Sequence, residues 1–332
     1  MMESLKVASV GLGRWGEMLA GKAAGAGMEI VAGFARTPET REAFAQNYGG
    51  RPAGSIDEVL SDPDVEAVLL ATPHSTHVGL VSEFAEAGKH VFVDKPFTLN
   101  VADGKRAIRA AEKAAVVLQV GHNRRRQPAN RRLKEMVESG ALGIAHYAEA
   151  NLSYPKGLNP RSGWRGDPAE SPAGGMTGLG VHMADNLNYL LGRPARVAAF
   201  SRQNIGVSKL DDATTATLEY ESGCLAFLGT SMVIPDIGRT AVWGTEAAAW
   251  NDLDGERFYF QPVGEVERSE QPIDTLDTIQ DELEEFVRNA RNGTTPETGG
   301  PEALEAVAVL EGIVESAATG TVVDLDEVRA RE

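Results

Sequence analysis

Five short apolar runs separated by helical stretches fill the first 123 residues, and this alternation constrains the fold more than any other feature of the chain. "LKVASVG" reads as a strand, "EMLAGKAAG" as a helix, "EIVAGFA" as a second strand and "PETREAFAQNYG" as a second helix. "VEAVLLAT" is a third strand, apolar throughout and therefore buried on both faces. "HVGLVSEFAEAG", "HVFVDKP", "VADGKRAIRAAEKA" and "VVLQVGHN" continue as helix, strand, helix and strand. Strands joined through helices run parallel with right-handed crossovers, and the helices cover both faces. Ligand-facing residues then belong at the carboxyl ends of the strands, here Gly11, Ala35, Thr72, Lys95 and Asn123.

Beyond residue 123 the pattern changes. A helix, "ANRRLKEMVESG", leads into a long strand, "IAHYAEANLSY", and a polar segment from Pro155 to Gly175. The helix "GLGVHMADNLNYLLG" is stopped by Gly192 and Pro194. "ARVAAFSRQN", "DATTATLEYES", "GCLAFLGTSM", "GRTAVWGT" and "RFYFQP" are strands without helices between them, and the short turn Glu221-Ser222-Gly223 makes neighbours antiparallel. Helices near 277–291 and 301–318 close the chain. The expected organisation is an α/β Rossmann domain over 1–123, with a doubly wound parallel sheet. An α+β domain with a large, mostly antiparallel open sheet follows over 124–332.

The bulk numbers narrow the function. The formal net charge of −16 repels nucleic acid and anionic membrane alike. "HNRRRQPANRR" is a local basic exception, but no aromatic residues interleave its arginines. No run of about 18 apolar residues is present, so no membrane span is expected. "MMESLKVASVGLG" lacks the basic start and cleavage site of a secretory signal. Cys224 is the only cysteine, which excludes an intrachain disulfide and fits the cytoplasm. No metal site is expected.

"VGLGRWGEM" places Gly11, Leu12, Gly13, Arg14, Trp15 and Gly16 between a strand and a helix. In that context G-x-G-x-x-G is a dinucleotide-binding loop with the helix N-terminus facing the pyrophosphate. An NAD site usually carries an acid about 20 residues on, at the end of the second strand. Here Ala35 and Arg36 stand there, followed by Thr37. Arg36 and Thr37 are suited to a 2′-phosphate, so NADP is expected over NAD.

Lys95 ends an apolar strand at the sheet rim, where the nicotinamide end of a dinucleotide would sit. Hydride transfer to or from an alcohol needs a partner for the hydroxyl proton, and a lysine tuned by its surroundings can serve. In the second half, His182, Asp185, Asn186 and Tyr189 share a helix face by three- and four-residue spacing.

The glycine loop, "ATPHSTH" (71–77), "GKHVFVDKPF" (88–97) and "GVHMAD" (180–185) together resemble the Gfo/Idh/MocA oxidoreductases, in order and spacing along nearly the whole chain. Asp94 in "VDKP" stands where the family has glutamate. The resemblance implies that Lys95 and His182 flank the reacting carbinol, and Lys95 is expected to be tuned by His182 and Asp185. It implies that Thr72, Pro73, His77 and Asp94 line the cofactor and that Asn123 lies near the substrate. The family's usual aspartate, four residues before the histidine, is Gly178 here.

The resemblance points to a sugar, cyclitol or related cyclic polyol. The segment "YPKGLNPRSGWRGDP" adds Tyr154, Lys156, Asn159, Arg161, Trp164 and Arg165 as substrate contacts, Trp164 by stacking on a ring. With Arg124 and Arg125 after Asn123, the pocket reads as locally basic, which suits an anionic cyclic dihydrodiol or sugar acid as the alternative. Gly178 keeps a second alternative open, an NADP-binding sensor without turnover. Val197, Leu218, Leu225, Phe227 and Trp243 are expected to form an apolar sheet face through which a homodimer or homotetramer assembles.

Overall fold

The computed structural model describes residues 4–158, 163–206 and 208–332. Two compact units divide the chain. The first holds residues up to Thr98, Ala102–Asn123 and Asp277–Ala303; the second holds Leu99–Val101, Arg124–Leu276 and Leu304–Glu332. The switch at Asn123/Arg124 lies where the composition changes. Residues 277–303, assigned from sequence to the second domain, cluster instead with the first.

The first unit is a six-stranded, all-parallel sheet. Its strands are β1 (Leu5–Val10), β2 (Met28–Phe34), β3 (Arg51–Pro52), β4 (Ala67–Leu70), β5 (His90–Val93) and β6 (Leu118–Val120). They lie in the order β3-β2-β1-β4-β5-β6. Every residue of β4 is buried, as its unbroken apolar run requires. The short β3 escaped the sequence pattern because two residues carry no periodicity. The helices are α1 (Arg14–Ala23), α2 (Pro38–Tyr48), α3 (Ile56–Leu60), α4 (His77–Glu86) and α5 (Val101–Ala114). Leu283 and Phe286 of the helix Thr278–Asn292 join the core formed by Leu5, Val7, Leu19 and Phe92, which explains why that helix belongs here. The chain turns from one side of the sheet to the other between β1 and β4, and ligands bind at such a switch point.

The second unit carries a nine-stranded sheet in the order β14-β13-β12-β11-β7-β10-β9-β8-β15. Its strands are β7 (Ala145–Ser153), β8 (Pro194–Arg202), β9 (Ala213–Tyr220), β10 (Leu225–Ser231), β11 (Ile237–Gly244), β12 (Ala247–Asp252), β13 (Arg257–Pro262), β14 (Ser269–Gln271) and β15 (Val323–Asp324). Neighbours are antiparallel except β7 and β10, which pair in parallel. Two helices, α6 (Pro128–Glu138) and α7 (Val181–Leu191), pack on one face of this sheet.

Strand alternation decides what the other face shows. Val197 and Leu218 are 1% and 0% exposed, so they belong to the covered face, correcting the expectation for those two residues. Tyr147, Phe200, Leu225, Phe227 and Trp243 lie on the opposite face. There Tyr147 packs on Trp243 at 5.2 Å between ring centroids, and Trp243 meets Trp250 edge-on at 5.4 Å. No helix among the described residues is long and apolar enough to cross a membrane.

Candidate functional site

The rim of the parallel sheet is assembled by loops at the strand ends. Gly11 follows β1 with φ +91°, and a Cβ there would lie 2.5 Å from the Ala71 carbonyl oxygen. A Cβ at Gly16 would lie 2.0 Å from the Gly11 oxygen. At Gly13 nothing lies within 4 Å of such an atom, and no side chain caps α1. The loop thus closes on itself at Gly11 and Gly16 and leaves an open bay at Gly13, before the N–H groups of a ten-residue helix. That bay fits the pyrophosphate of a dinucleotide. Leu12 is buried beneath it, Arg14 is exposed and Trp15 is half-buried.

No acid stands at the end of β2. Arg36 and Thr37 are exposed, and the Thr37 and Thr40 hydroxyls are 2.6 Å apart. Arg41, a residue not singled out from the sequence, donates from Nη1 to the Ala35 carbonyl at 2.9 Å. A second cation is therefore held at this strand end. Its signal was an arginine one turn into the helix after β2.

After β4, the Thr72 and Thr76 hydroxyls meet at 2.7 Å and Thr76 donates to the Pro73 carbonyl at 2.6 Å. His77, 1% exposed, opens α4. Its Nδ1 lies 3.0 Å from the Pro96 oxygen and 3.2 Å from the Phe97 oxygen, and its Nε2 lies 3.2 Å from the Thr72 oxygen. The ring is thus engaged by main chain. Burial pushes His77 below its ordinary pKa, outweighing the opposite pull of Asp94 and the carbonyls.

After β5, Asp94 accepts the Lys95 backbone N–H at 2.9 Å, and the Lys95–Pro96 peptide is cis. Lys95 is 8% exposed, with Nζ 5.9 Å from the Trp15 ring centroid. Amine and glycine loop thus meet within one unit. After β6, Asn123 donates to the Thr278 hydroxyl at 2.8 Å.

The second unit holds the remaining candidates. His182 and Asp185 are buried on α7. Arg125 donates to both oxygens of Asp185, from Nε at 3.0 Å and from Nη2 at 2.5 Å. Its guanidinium also lies 5.1 Å from the Tyr189 ring centroid. A buried carboxylate gripped at both oxygens by a guanidinium is a firm anchor for α7. The preceding turn, Met176–Gly180, is a π-helix, and a Cβ on Gly178 would meet nothing within 4 Å. Single π-turns often mark functional positions.

Arg124 pairs with Asp254, a residue the sequence did not single out. Its Nε reaches Oδ1 at 2.9 Å and its Nη2 reaches Oδ2 at 2.7 Å. Tyr154 donates to the same Oδ2 at 3.1 Å, and Gln127 donates to the Asp254 carbonyl at 2.7 Å and to Oδ1 at 3.0 Å. Burial alone would raise the Asp254 carboxyl, but Arg124, Gln127 and Tyr154 together hold it below the usual range. Burial and the Asp254 charge push the Tyr154 phenol up. Leu253 and Asp254 both adopt positive φ, 52° and 55°, so the network holds a strained turn. Trp164 is half-buried, with the exposed Arg165 guanidinium 4.2 Å from its ring centroid. Lys156 lies 4.5 Å from the Tyr154 ring centroid. Asn159 and Arg161 fall outside the described residues.

A doubly wound parallel sheet with a glycine cradle at its switch point defines a dinucleotide-binding domain. Residues 5–122 match the family model described as "Oxidoreductase family, NAD-binding Rossmann fold", and residues 130–250 match "GFO/IDH/MocA C-terminal domain". The chain belongs to the Gfo/Idh/MocA oxidoreductase family. It is 27% identical to 1,5-anhydro-D-fructose reductase of Ensifer adhaerens, over 95% of this chain and 99% of that one. It is 30% identical to scyllo-inositol 2-dehydrogenase (NAD(+)) of Bacillus subtilis, over 82% and 81%. A solved oxidoreductase structure from Desulfitobacterium hafniense, designated NADPH-dependent, is 29% identical and superposes with a TM-score of 0.93, over 99% and 100%.

Proposed function

We propose that this protein is an NADP-dependent dehydrogenase or reductase of a neutral cyclic polyol or sugar, working at a secondary alcohol or its ketone. The observation that carries the reading is Lys95: a nearly buried amine at the end of β5, 5.9 Å from the ring of Trp15 in the dinucleotide loop. The nicotinamide, when bound, supplies or takes the hydride. Lys95 then accepts the hydroxyl proton in oxidation and returns it to the alkoxide in reduction. His182, buried on α7, is the second candidate catalytic residue. Asp185 acts through Arg125, anchoring α7.

NADP is supported by the two arginines at the end of β2, where an NAD site would place an acid. Arg36 is exposed and free to turn to a 2′-phosphate, while Arg41 is fixed on the Ala35 carbonyl. A neutral substrate is supported by the Arg124–Asp254 pair, which cancels the charge that would otherwise favour an anion. Trp164, Arg165 and Tyr154 remain the candidate ring contacts, and Asn123 the candidate at the rim.

A homodimer or homotetramer built on the open sheet face is the proposed assembly, supported by exposed Phe200 and Leu225 on the same face as the Tyr147–Trp243 pair. The decisive assay mixes the protein and NADPH with ketones of cyclitols, anhydro-sugars and uronates, and follows NADPH consumption. Turnover with the neutral ketones supports the reading. Tight NADPH binding without turnover across the set would move it to the sensor class.

A further inference from the structure

His77 opens α4 after the β4 loop, and at 1% exposure it is one of the most enclosed polar side chains of the first unit. Its ring is inserted between two strand-end loops. On one side lies the Thr72 carbonyl after β4; on the other lie the Pro96 and Phe97 carbonyls, immediately after Lys95.

A neutral imidazole has one N–H to give. Burial keeps His77 neutral near pH 7, so only one side of the ring can donate. Nδ1 has two carbonyl oxygens within 3.2 Å, the nearer at 3.0 Å, whereas Nε2 has one at 3.2 Å. The network therefore assigns the proton to Nδ1, where a single N–H is shared between Pro96 and Phe97.

We infer that His77 is a positioning residue that sets the reach of Lys95, by pinning the Pro96–Phe97 main chain from Nδ1 and so holding the amine beside Trp15. The inference rests on Lys95 being the proton partner for its importance, but its test does not need turnover. Pro96 is the next residue after Lys95, so a shift of its carbonyl is passed to Lys95 through the single peptide unit that joins them. A lysine displaced from an 8% exposed position becomes more accessible.

The test is competitive acetylation of the full-length protein with trace acetic anhydride at pH 8, read by mass spectrometry as the Lys95 to Lys89 labelling ratio. Lys89 is an internal control: it is also 8% exposed, and it is tied to the Asp62 and Val65 carbonyls at 2.6 and 2.7 Å, on the opposite rim. His77→Leu keeps bulk without a donor and should raise the ratio at least threefold. His77→Asn places an amide N–H near the Nδ1 position and should bring the ratio within twofold of the parent. His77→Gln puts its donor near the Nε2 position instead, should behave like Leu, and stands in for Leu if that variant does not fold. Equal ratios in all variants would overturn the inference, as would Asn failing to differ from Gln. Failure of the parent reading shows elsewhere, as an unchanged kcat in Lys95→Ala.

Discussion

Arg124 and Asp254 form a two-point ion pair across 130 residues of sequence, at 2.9 and 2.7 Å, and Tyr154 and Gln127 close around the same carboxylate. The pair ties the residue that follows Asn123 to the turn between β12 and β13, a turn with two non-glycine residues at positive φ. Removing the carboxylate strands a half-buried guanidinium and releases the turn. Asp254→Ala should lower stability by about 1–3 kcal/mol, the range for charged hydrogen bonds after allowing for partial exposure. Urea denaturation of both proteins measures it.

The same carboxylate gives a pH signature. Its folded pKa lies below the ordinary carboxylate value, so the folded state binds this proton less readily than the unfolded chain. The stabilisation is therefore present above about pH 4 and lost as pH falls through the folded value. Between roughly pH 4 and pH 2, Asp254→Asn should lose stability less steeply than the parent. Parallel melting curves over that range would show two identical slopes if the pair contributes nothing.

Lys95→Ala should lower kcat by about 10²–10⁴-fold while the protein still binds NADPH, because general acid–base assistance is worth that much. Steady-state kinetics on the best ketone, with fluorescence titration of NADPH, separate the two effects. An unchanged kcat would remove Lys95 from the chemistry.

Arg36→Ala and Arg41→Ala should each weaken NADPH binding about ten- to a hundred-fold, the equivalent of one charge-assisted hydrogen bond. NADH binding should barely move, since that ligand lacks the 2′-phosphate. Isothermal titration with both nucleotides decides; equal losses for NADH and NADPH would point to a general loop defect.

Gly178→Asp should fold with a Tm close to that of the parent, because its Cβ meets no atom within 4 Å. If an acid at this turn assists the reaction, kcat should rise in the variant. A collapse in Tm, read by scanning calorimetry, would show that the space is not available.

The strand and helix pattern of the first 123 residues was readable because periodicity and turn residues are local. An apolar run such as Val68-Leu69-Leu70 has few ways to be buried, and Gly11, Gly13 and Gly16 declare a backbone approach that other residues would block. The charge-reversed end of β2 and the lysine ending β5 were equally plain, since strand ends set the rim of a parallel sheet.

What tertiary structure alone decided involves pairs far apart in the chain. Ala247–Asp252 becomes the buried strand β12, although its three alanines favour a helix, because strands on both sides supply the hydrogen bonds. Thr278–Asn292 returns to the first unit because Leu283 and Phe286 find their apolar partners there. Arg124 and Arg125 read alike in sequence, yet one is neutralised by Asp254 and the other by Asp185. His77 shows the same dependence: its ring nitrogens face carbonyls at Thr72, Pro96 and Phe97, brought together from two strand-end loops. A single sequence records what each residue can offer. Which offer is taken depends on the partner that folding brings alongside.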